Sequence, residues 1–102
     1  MGYNENEIWT GKYWAGGKKI YKKTLPNLNV SLIVNQWVNV AAASLFPDIE
    51  APLYAMARNT ANDKQTLIFT QSRVKDGYIS LETFMGGNRV INELTLEYIK
   101  TS

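Results

Sequence analysis

Apolar and polar residues alternate with a period of two along most of this chain. The clearest case is residues 28–34, where the apolar side chains of one face are Leu28, Val30, Leu32 and Val34. Residues 78–84 repeat the pattern, and in residues 89–100 one face carries Leu94, Leu96 and Tyr98. Successive side chains of a strand point to opposite faces of its sheet, so this alternation predicts three half-buried β-strands.

Turn residues separate these predicted strands. Asp76-Gly77 directly precedes the second strand and is the strongest short hairpin signal in the chain. Reading backward from it, the β-branched and aromatic run at 66–70 predicts a hairpin over 65–85 whose loop lies at 73–77. Gly86-Gly87-Asn88 separates the second strand from the third with residues that tolerate a positive φ.

The segment 35–46 is ambiguous, because its apolar residues fit both a strand and a helix. Positions 34, 36, 38 and 40 alternate as in a strand, whereas positions 37, 41, 44 and 45 form one helical stripe. Valine, tryptophan and asparagine are poor helix formers, and Pro47 and Pro52 follow, which favours a strand that runs into an irregular alanine-rich segment. Residues 53–58 predict a further short strand, and residues 59–64 a polar loop.

Short strands at this spacing, joined by glycine and asparagine turns, predict an all-β fold: a single antiparallel β-sandwich of about seven short strands. We expect one domain over residues 1–102, with residues 1–9 as an N-terminal extension that could be flexible. The length of 102 residues and the hydrophobic content of 45% fit one ordinary globular core and are too apolar for a disordered chain.

The composition removes most enzyme chemistry. The chain has no cysteine and no histidine, which excludes thiolate nucleophiles, Ser-His-Asp triads and sites built on imidazole. Glu93 and Glu97 would lie about 13 Å apart along a strand, beyond both glycosidase geometries. Asp48 and Glu50, on a predicted loop between two prolines, could ligate a hard cation, but their segment does not supply the roughly six or more oxygens that the cation needs. We therefore expect no enzyme, no metal site and no cofactor.

The charge and the termini give further expectations. A net charge of only +2 is not by itself the signature of a nucleic-acid-binding protein. The N-terminal residues lack the basic and apolar regions of a secretory signal, and no apolar run approaches the ~18 residues of a membrane span. We expect neither secretion by a signal peptide nor membrane insertion.

Exposed aromatic rings are the first candidate binding residues, because a flat ring can cover the apolar face of a sugar. The candidates are Trp9, Tyr13, Trp14, Trp37 and Tyr54. The alternative is that these rings fill the core or an oligomer interface of a small domain, and for each ring taken alone that alternative is the stronger.

The second candidate is a basic segment interleaved with aromatic residues, which could bind a polyanion such as nucleic acid or teichoic acid. Its lysines are Lys18, Lys19, Lys22 and Lys23. The alternative, which we favour, is a solvated edge strand, where lysine blocks edge-to-edge association. On a strand, moreover, Lys18 and Lys22 face away from Lys19 and Lys23, which divides the charge between two faces.

Two segments resemble a small β-domain of bacteriophage and prophage tail proteins. The opening of that domain has the pattern Thr-Gly, a tryptophan, then Gly-Lys, an apolar residue and tyrosine before a basic residue. The matching positions here are Thr10, Gly11, Trp14, Gly17, Lys18, Ile20, Tyr21 and Lys22. Residues 94–101 are similar to its C-terminal strand, and Leu25-Pro26-Asn27 to the turn after its first strand. The family's His-Gly pair near 34–38 is absent here.

The resemblance implies a virion protein: a tail-fibre or receptor-binding module, made in the host cytoplasm, that contacts the host cell surface. It implies a homotrimer or association with other tail proteins, and a cell-surface glycan or teichoic acid as the target. It brings no catalytic motif. The rival is a free-standing phage-encoded accessory or inhibitor protein that binds a host protein or nucleic acid through the lysine-rich segment.

Overall fold

The computed structural model describes residues 7–59, 65–68, 71–83 and 89–101, and these ranges fold as antiparallel β-sheets. In chain order the strands are β1 (Ile8–Trp14), β2 (Lys18–Leu25), β3 (Val30–Leu32), β4 (Trp37–Ala42), β5 (Ile49–Asn59), β6 (Gln65–Ile68), β7 (Gln71–Lys75), β8 (Tyr78–Glu82), β9 (Arg89–Ile91) and β10 (Glu93–Lys100). Two single-turn 3-10 segments, Ala15–Gly17 and Ala43–Leu45, join β1 to β2 and follow β4. The predicted all-β class is confirmed.

The strands form three sheets. A five-stranded sheet has the order β1-β2-β10-β5-β6, a three-stranded sheet has the order β4-β8-β7, and β3 pairs with β9. The predicted count of about seven strands is wrong, because the described ranges hold ten strands. The extra strands arise where one run divides between two sheets, as β6 and β7 do and as β9 and β10 do, so the single strand predicted over 89–100 is wrong. The strand predicted over 28–34 is shorter than expected, because β3 covers only Val30–Leu32.

The core draws buried residues from all three sheets. The inner face of β10 contributes Leu94, Leu96 and Tyr98, all fully buried, as its alternation predicts. Ile79 and Leu81 of β8 meet them from the three-stranded sheet. The remaining buried members of this core are Leu25, Leu32, Val40, Phe46, Ala55, Ala57 and Ile91.

The hairpin predicted over 65–85 is partly wrong. Asp76 and Gly77 do form its turn, with φ of 54° and 82°, and Lys75 pairs directly with Tyr78 across it. Residues 73–75, however, belong to β7 and not to a loop, and residues 65–68 pair with β5 in the other sheet. The turn predicted at 86–88 lies outside the described residues.

The ambiguous segment resolves as favoured, into strand β4 followed by a 3-10 turn. The strand predicted at 53–58 is longer than expected: β5 starts at Ile49, and Pro52 lies in it at an irregular position of the pairing with β10. Proline is tolerated there because a bulge removes the need for its missing N–H. Of the predicted loop 59–64, Asn59 is the last residue of β5, and residues 60–64 lie outside the described residues.

The predicted N-terminal extension lies only partly inside the described residues. Ile8 and Trp9 are the first residues of β1, paired with Lys22 and Tyr21, so they are part of the sheet. Residues 1–6 lie outside the described residues.

Candidate binding surface

A bulge in β1 shapes the β1–β2 hairpin. Trp9 pairs with Tyr21 and Tyr13 with Lys19, so four steps along β1 match only two along β2. Gly11, at φ 86°, supplies the left-handed conformation that the extra residues need. The Thr10 hydroxyl donates to the carbonyl of Ile20 at 2.9 Å and accepts from the Lys12 amide at 3.3 Å, which holds the bulge against β2.

The bulge brings two predicted ligand-binding rings together. In a regular strand Trp9 and Tyr13 would lie about 13 Å apart, but their ring centroids are 5.5 Å apart in an edge-to-face arrangement. The side chains are 45% and 59% exposed, so this pair is not buried in the core. The Lys19 ammonium lies 5.0 Å from the centre of the Trp9 ring, within cation–π range.

These rings continue an aromatic row that begins in the core. Buried Phe46 meets buried Tyr98 edge to face at 5.5 Å, and Tyr98 lies 6.3 Å from Tyr21. Tyr21 is half-buried and is the cross-strand partner of Trp9. The inner face of the five-stranded sheet therefore extends past the core and ends in exposed rings. We call Trp9, Tyr13, Lys19, Tyr21 and Lys100 the hairpin face.

Glu7 ties the start of β1 to the last strand of the sheet. Its carboxylate accepts a hydrogen bond from the Tyr98 hydroxyl and another from Lys100 Nζ at 2.7 Å. Burial, and then the hydrogen bond to Glu7, raise the pKa of Tyr98 far above its ordinary value. The hydrogen bond to Glu7 also raises the pKa of Lys100, whose ammonium lies 4.4 Å from the centre of the Tyr21 ring.

A depression of about 360 Å³ lies beside the aromatic pair, and its lining is Gly17, Lys18, Lys19, Tyr21 and Lys100. Two of its ammonium groups are already paired, Lys18 with Glu50 at 2.8 Å and Lys100 with Glu7. Within the described ranges no carboxylate forms an ion pair with Lys19. The depression thus combines the ring of Tyr21 with the Lys19 ammonium, a cation that can attract an anionic or hydroxyl group.

The other predicted rings lie elsewhere. Strand alternation places Trp14, 49% exposed, on the opposite side of the hairpin from Tyr13. Tyr54 pairs with Glu97 on the outer face of the five-stranded sheet. Trp37 lies in the three-stranded sheet, where the Arg73 guanidinium covers its ring at 3.9 Å. The five rings therefore do not form one site.

The lysine-rich segment is not an edge strand, and that part of the prediction is wrong. β2 lies between β1 and β10, and the lysines lie on a central strand of the sheet. The strand pairing confirms that the lysines are divided between two faces of the sheet. Lys22 is opposite Ile8 and Glu97, whereas Lys23 is opposite Leu96 of the core. Lys23 Nζ also donates to the carbonyl of Leu45. The four lysines thus do not present one basic surface.

The acidic residues form no metal cluster in the part of the chain that the structure describes. Glu50, expected on a loop, lies in β5 and pairs with Lys18. Glu93 and Glu97 lie on one face of β10 with Thr95 between them. Nor do the described ranges contain a helix long and apolar enough to cross a membrane.

Sequence reasoning missed Lys100 of the hairpin face and its partner Glu7. Both approach Tyr21 only through the register of β10 against β2 and of β2 against β1. The signal for the bulge was present, since a glycine between polar residues inside a strand pattern indicates one.

Comparisons with protein-family models, with curated proteins and with solved structures find no match to this chain. The similarity to phage tail domains therefore rests on the sequence motifs alone.

Proposed function

We propose that this protein is a non-enzymatic tail-fibre or receptor-binding-type module of a bacteriophage or prophage, which contacts a host cell-surface polysaccharide through the hairpin face. The tail assignment is supported by the motifs at residues 10–24 and 94–101. The binding assignment is supported by the geometry of the hairpin.

The observation that carries the proposal is the exposed Trp9–Tyr13 pair with Lys19 above the Trp9 ring. Large exposed rings have an energetic cost in water, and they are commonest at surfaces that bind a partner. A sugar ring can stack on the indole, and the ammonium can hydrogen-bond its hydroxyl groups or a phosphate of teichoic acid. Because the bulge and Glu7 fix the hairpin, little side-chain ordering remains for binding.

The test is binding of the whole chain to a glycan array, to purified teichoic acid and to bacterial cells. Trp9→Ala and Tyr13→Ala should each weaken binding about tenfold or more, as expected for rings at the centre of a contact. Circular dichroism should be unchanged, since both side chains lie outside the core.

Tyr78→Ala is the matched control, because Tyr78 is 47% exposed on the three-stranded sheet, away from the hairpin. It should leave binding intact. Binding that survives both hairpin substitutions, or that falls equally with the control, contradicts a role for the hairpin face. A preference for DNA or RNA over every glycan would favour the accessory-protein alternative.

Light scattering, which measures the mass of the particle in solution, distinguishes the tail-fibre module from the free-standing accessory protein. A tail-fibre module should form a stable trimer, as many fibres do through a shared axis. A monomer of 11.6 kDa favours the free-standing accessory protein.

A further inference from the structure

The outer face of the five-stranded sheet, opposite the hairpin face, contains a cavity of about 270 Å³. Its lining is Ile8, Lys22, Thr24, Met56, Arg58, Glu93 and Thr95. The volume is slightly below the ~300 Å³ at which ligand pockets usually begin, which suits one small ligand. We call this cavity the outer groove.

Three nearly buried polar residues form the floor of the outer groove. Thr24, Thr95 and Glu93 are only 7%, 8% and 8% exposed, although alternation places them on the face away from the core. Thr24 and Thr95 are directly opposite each other, and Met56 is the partner of Thr95 on the far side. The other residues that line the cavity are Ile8, Lys22, Met56 and Arg58.

Glu93 and Arg58 leave hydrogen-bonding capacity unused. They are cross-strand partners, but Arg58 Nη1 lies 3.7 Å from Glu93 Oε1, which is too long for a hydrogen bond. Arg58 Nε is buried and has no hydrogen-bond partner among the described residues. The Glu93 carboxylate is nearly buried, and Nε is a buried atom of the otherwise partly exposed Arg58 side chain. Unused hydrogen-bonding capacity at buried atoms is costly, so a ligand that satisfies both groups is stabilised.

Thr24 and Thr95 also have hydrogen-bonding capacity that they do not use on each other. The two hydroxyl oxygens are 2.8 Å apart, so one hydroxyl donates to the other. The accepting hydroxyl keeps its own proton, and the donating oxygen can still accept. The floor therefore offers one further donor and one further acceptor beside the Glu93 carboxylate.

From this arrangement we infer that the outer groove binds a neutral sugar unit through a pair of adjacent hydroxyl groups. A carboxylate only accepts and a guanidinium only donates, so the matching group must do both, as a hydroxyl does. One hydroxyl donates to Glu93 while its neighbour accepts from Arg58 or Lys22. The C–H face of the sugar lies against Met56 and Ile8.

The charges of the groove argue against an ionic ligand. An anion attracted by Arg58 and Lys22 would also meet the Glu93 carboxylate on the floor, and a cation attracted by Glu93 would also meet Arg58 and Lys22. A neutral polyol meets neither repulsion. The outer groove lies on the opposite side of the sheet from Trp9 and Tyr13, so sugar binding there can be tested independently of the function proposed above.

The experiment is a ¹H–¹⁵N NMR titration of the whole chain with methyl glucoside, methyl galactoside, methyl mannoside and N-acetylglucosamine at millimolar concentrations. At least one sugar should shift the backbone amides of Thr24, Arg58 and Thr95 and the side-chain Nε resonance of Arg58. Cyclohexanol, which has a single hydroxyl, and inorganic phosphate should not produce these shifts.

Substitutions then test the assigned roles. Glu93→Gln should weaken the affinity for the sugar about tenfold, since it replaces a charged hydrogen-bond acceptor by a neutral one. Glu97→Gln is the matched control, on the same strand and face but outside the groove lining, and should leave affinity unchanged. Thr95→Val, which keeps the side-chain shape, supplies a second test should Glu93→Gln unfold.

Shifts confined to Trp9, Tyr13 and their neighbours would overturn the inference while leaving the hairpin proposal standing. The absence of any shift with all four sugars, or equal shifts with phosphate, would also overturn it. So would equal losses in Glu93→Gln and Glu97→Gln. Conversely, Trp9→Ala should weaken binding at the hairpin face, as expected above, without changing the sugar affinity of the outer groove.

Discussion

The hydroxyl of Tyr98 offers a sharp test of how β1 is held, because its removal leaves the aromatic ring in place. Tyr98→Phe keeps the packing against Phe46 but deletes the hydrogen bond to the Glu7 carboxylate. A hydrogen bond to a charged group contributes about 1.5 to 3 kcal/mol. Glu7 keeps its bond to Lys100, so we expect a loss of about 2 kcal/mol, against roughly 5 to 15 kcal/mol for a whole domain.

This loss should depend on pH, with a definite sign. The folded structure raises the pKa of Tyr98, chiefly through burial and then through Glu7, and raises the pKa of Lys100 through Glu7. Both groups therefore hold their protons more tightly when folded than when unfolded. Their stabilisation is complete below the unfolded pKa values, near 10, and is lost as the pH rises through the folded ones.

Urea denaturation followed by circular dichroism, at steps from pH 7 to above pH 10, measures this effect. Wild type should lose stability on the alkaline side more steeply than Tyr98→Phe, so the difference between them should narrow as the pH rises. Tyr78→Phe, at an exposed ring, is the control and should run parallel to wild type. A difference between wild type and Tyr98→Phe that stays constant from pH 7 upward would refute the reasoning.

Two further predictions concern local structure. Thr24→Val or Thr95→Val alone should lower the free energy of unfolding by about 1 to 3 kcal/mol, because each leaves a buried hydroxyl without its partner. The double substitution should lower it by less than the sum of the two. Strictly additive losses in urea denaturation would contradict the buried pair. Gly77→Ala should cost about 1 to 2 kcal/mol through its φ of 82° alone, since nothing lies within 4 Å of the added methyl group; an unchanged thermal midpoint would contradict the assigned turn.

The parts of the fold that follow from local pattern could be predicted from the sequence. The prediction of which β10 side chains share one buried face is correct, because three large apolar residues at alternate positions can be buried together only on one face of a strand. The turn at Asp76 and Gly77 is correct because few dipeptides accept two consecutive positive φ angles. Both features depend on neighbours in sequence, so a single chain carries enough information.

The parts that depend on long-range pairing could not be predicted. Residues 65–75 form one apolar and polar run in sequence, yet β6 pairs in one sheet and β7 in another. The local pattern therefore predicts a single hairpin in which residues 66–70 form one arm. The same limit applies to the candidate site, because Tyr21 and Lys100 join Trp9 only through pairings between strands that are distant in the chain.

Several residues that carry the phage-tail resemblance shape the hairpin, and one of them, Tyr21, also belongs to the hairpin face. Thr10 and Gly11 close the bulge in β1, and Gly17, at φ 79°, turns the chain into β2. Trp9 and Tyr13, the rings that the bulge brings together, lie outside the matching positions. If such a motif maintains the hairpin geometry, it should tolerate different side chains on the hairpin face, and ligand preference should change there while the fold is kept. Exchanging Trp9 or Tyr13 for other aromatic residues should therefore alter which glycan is bound before it alters stability.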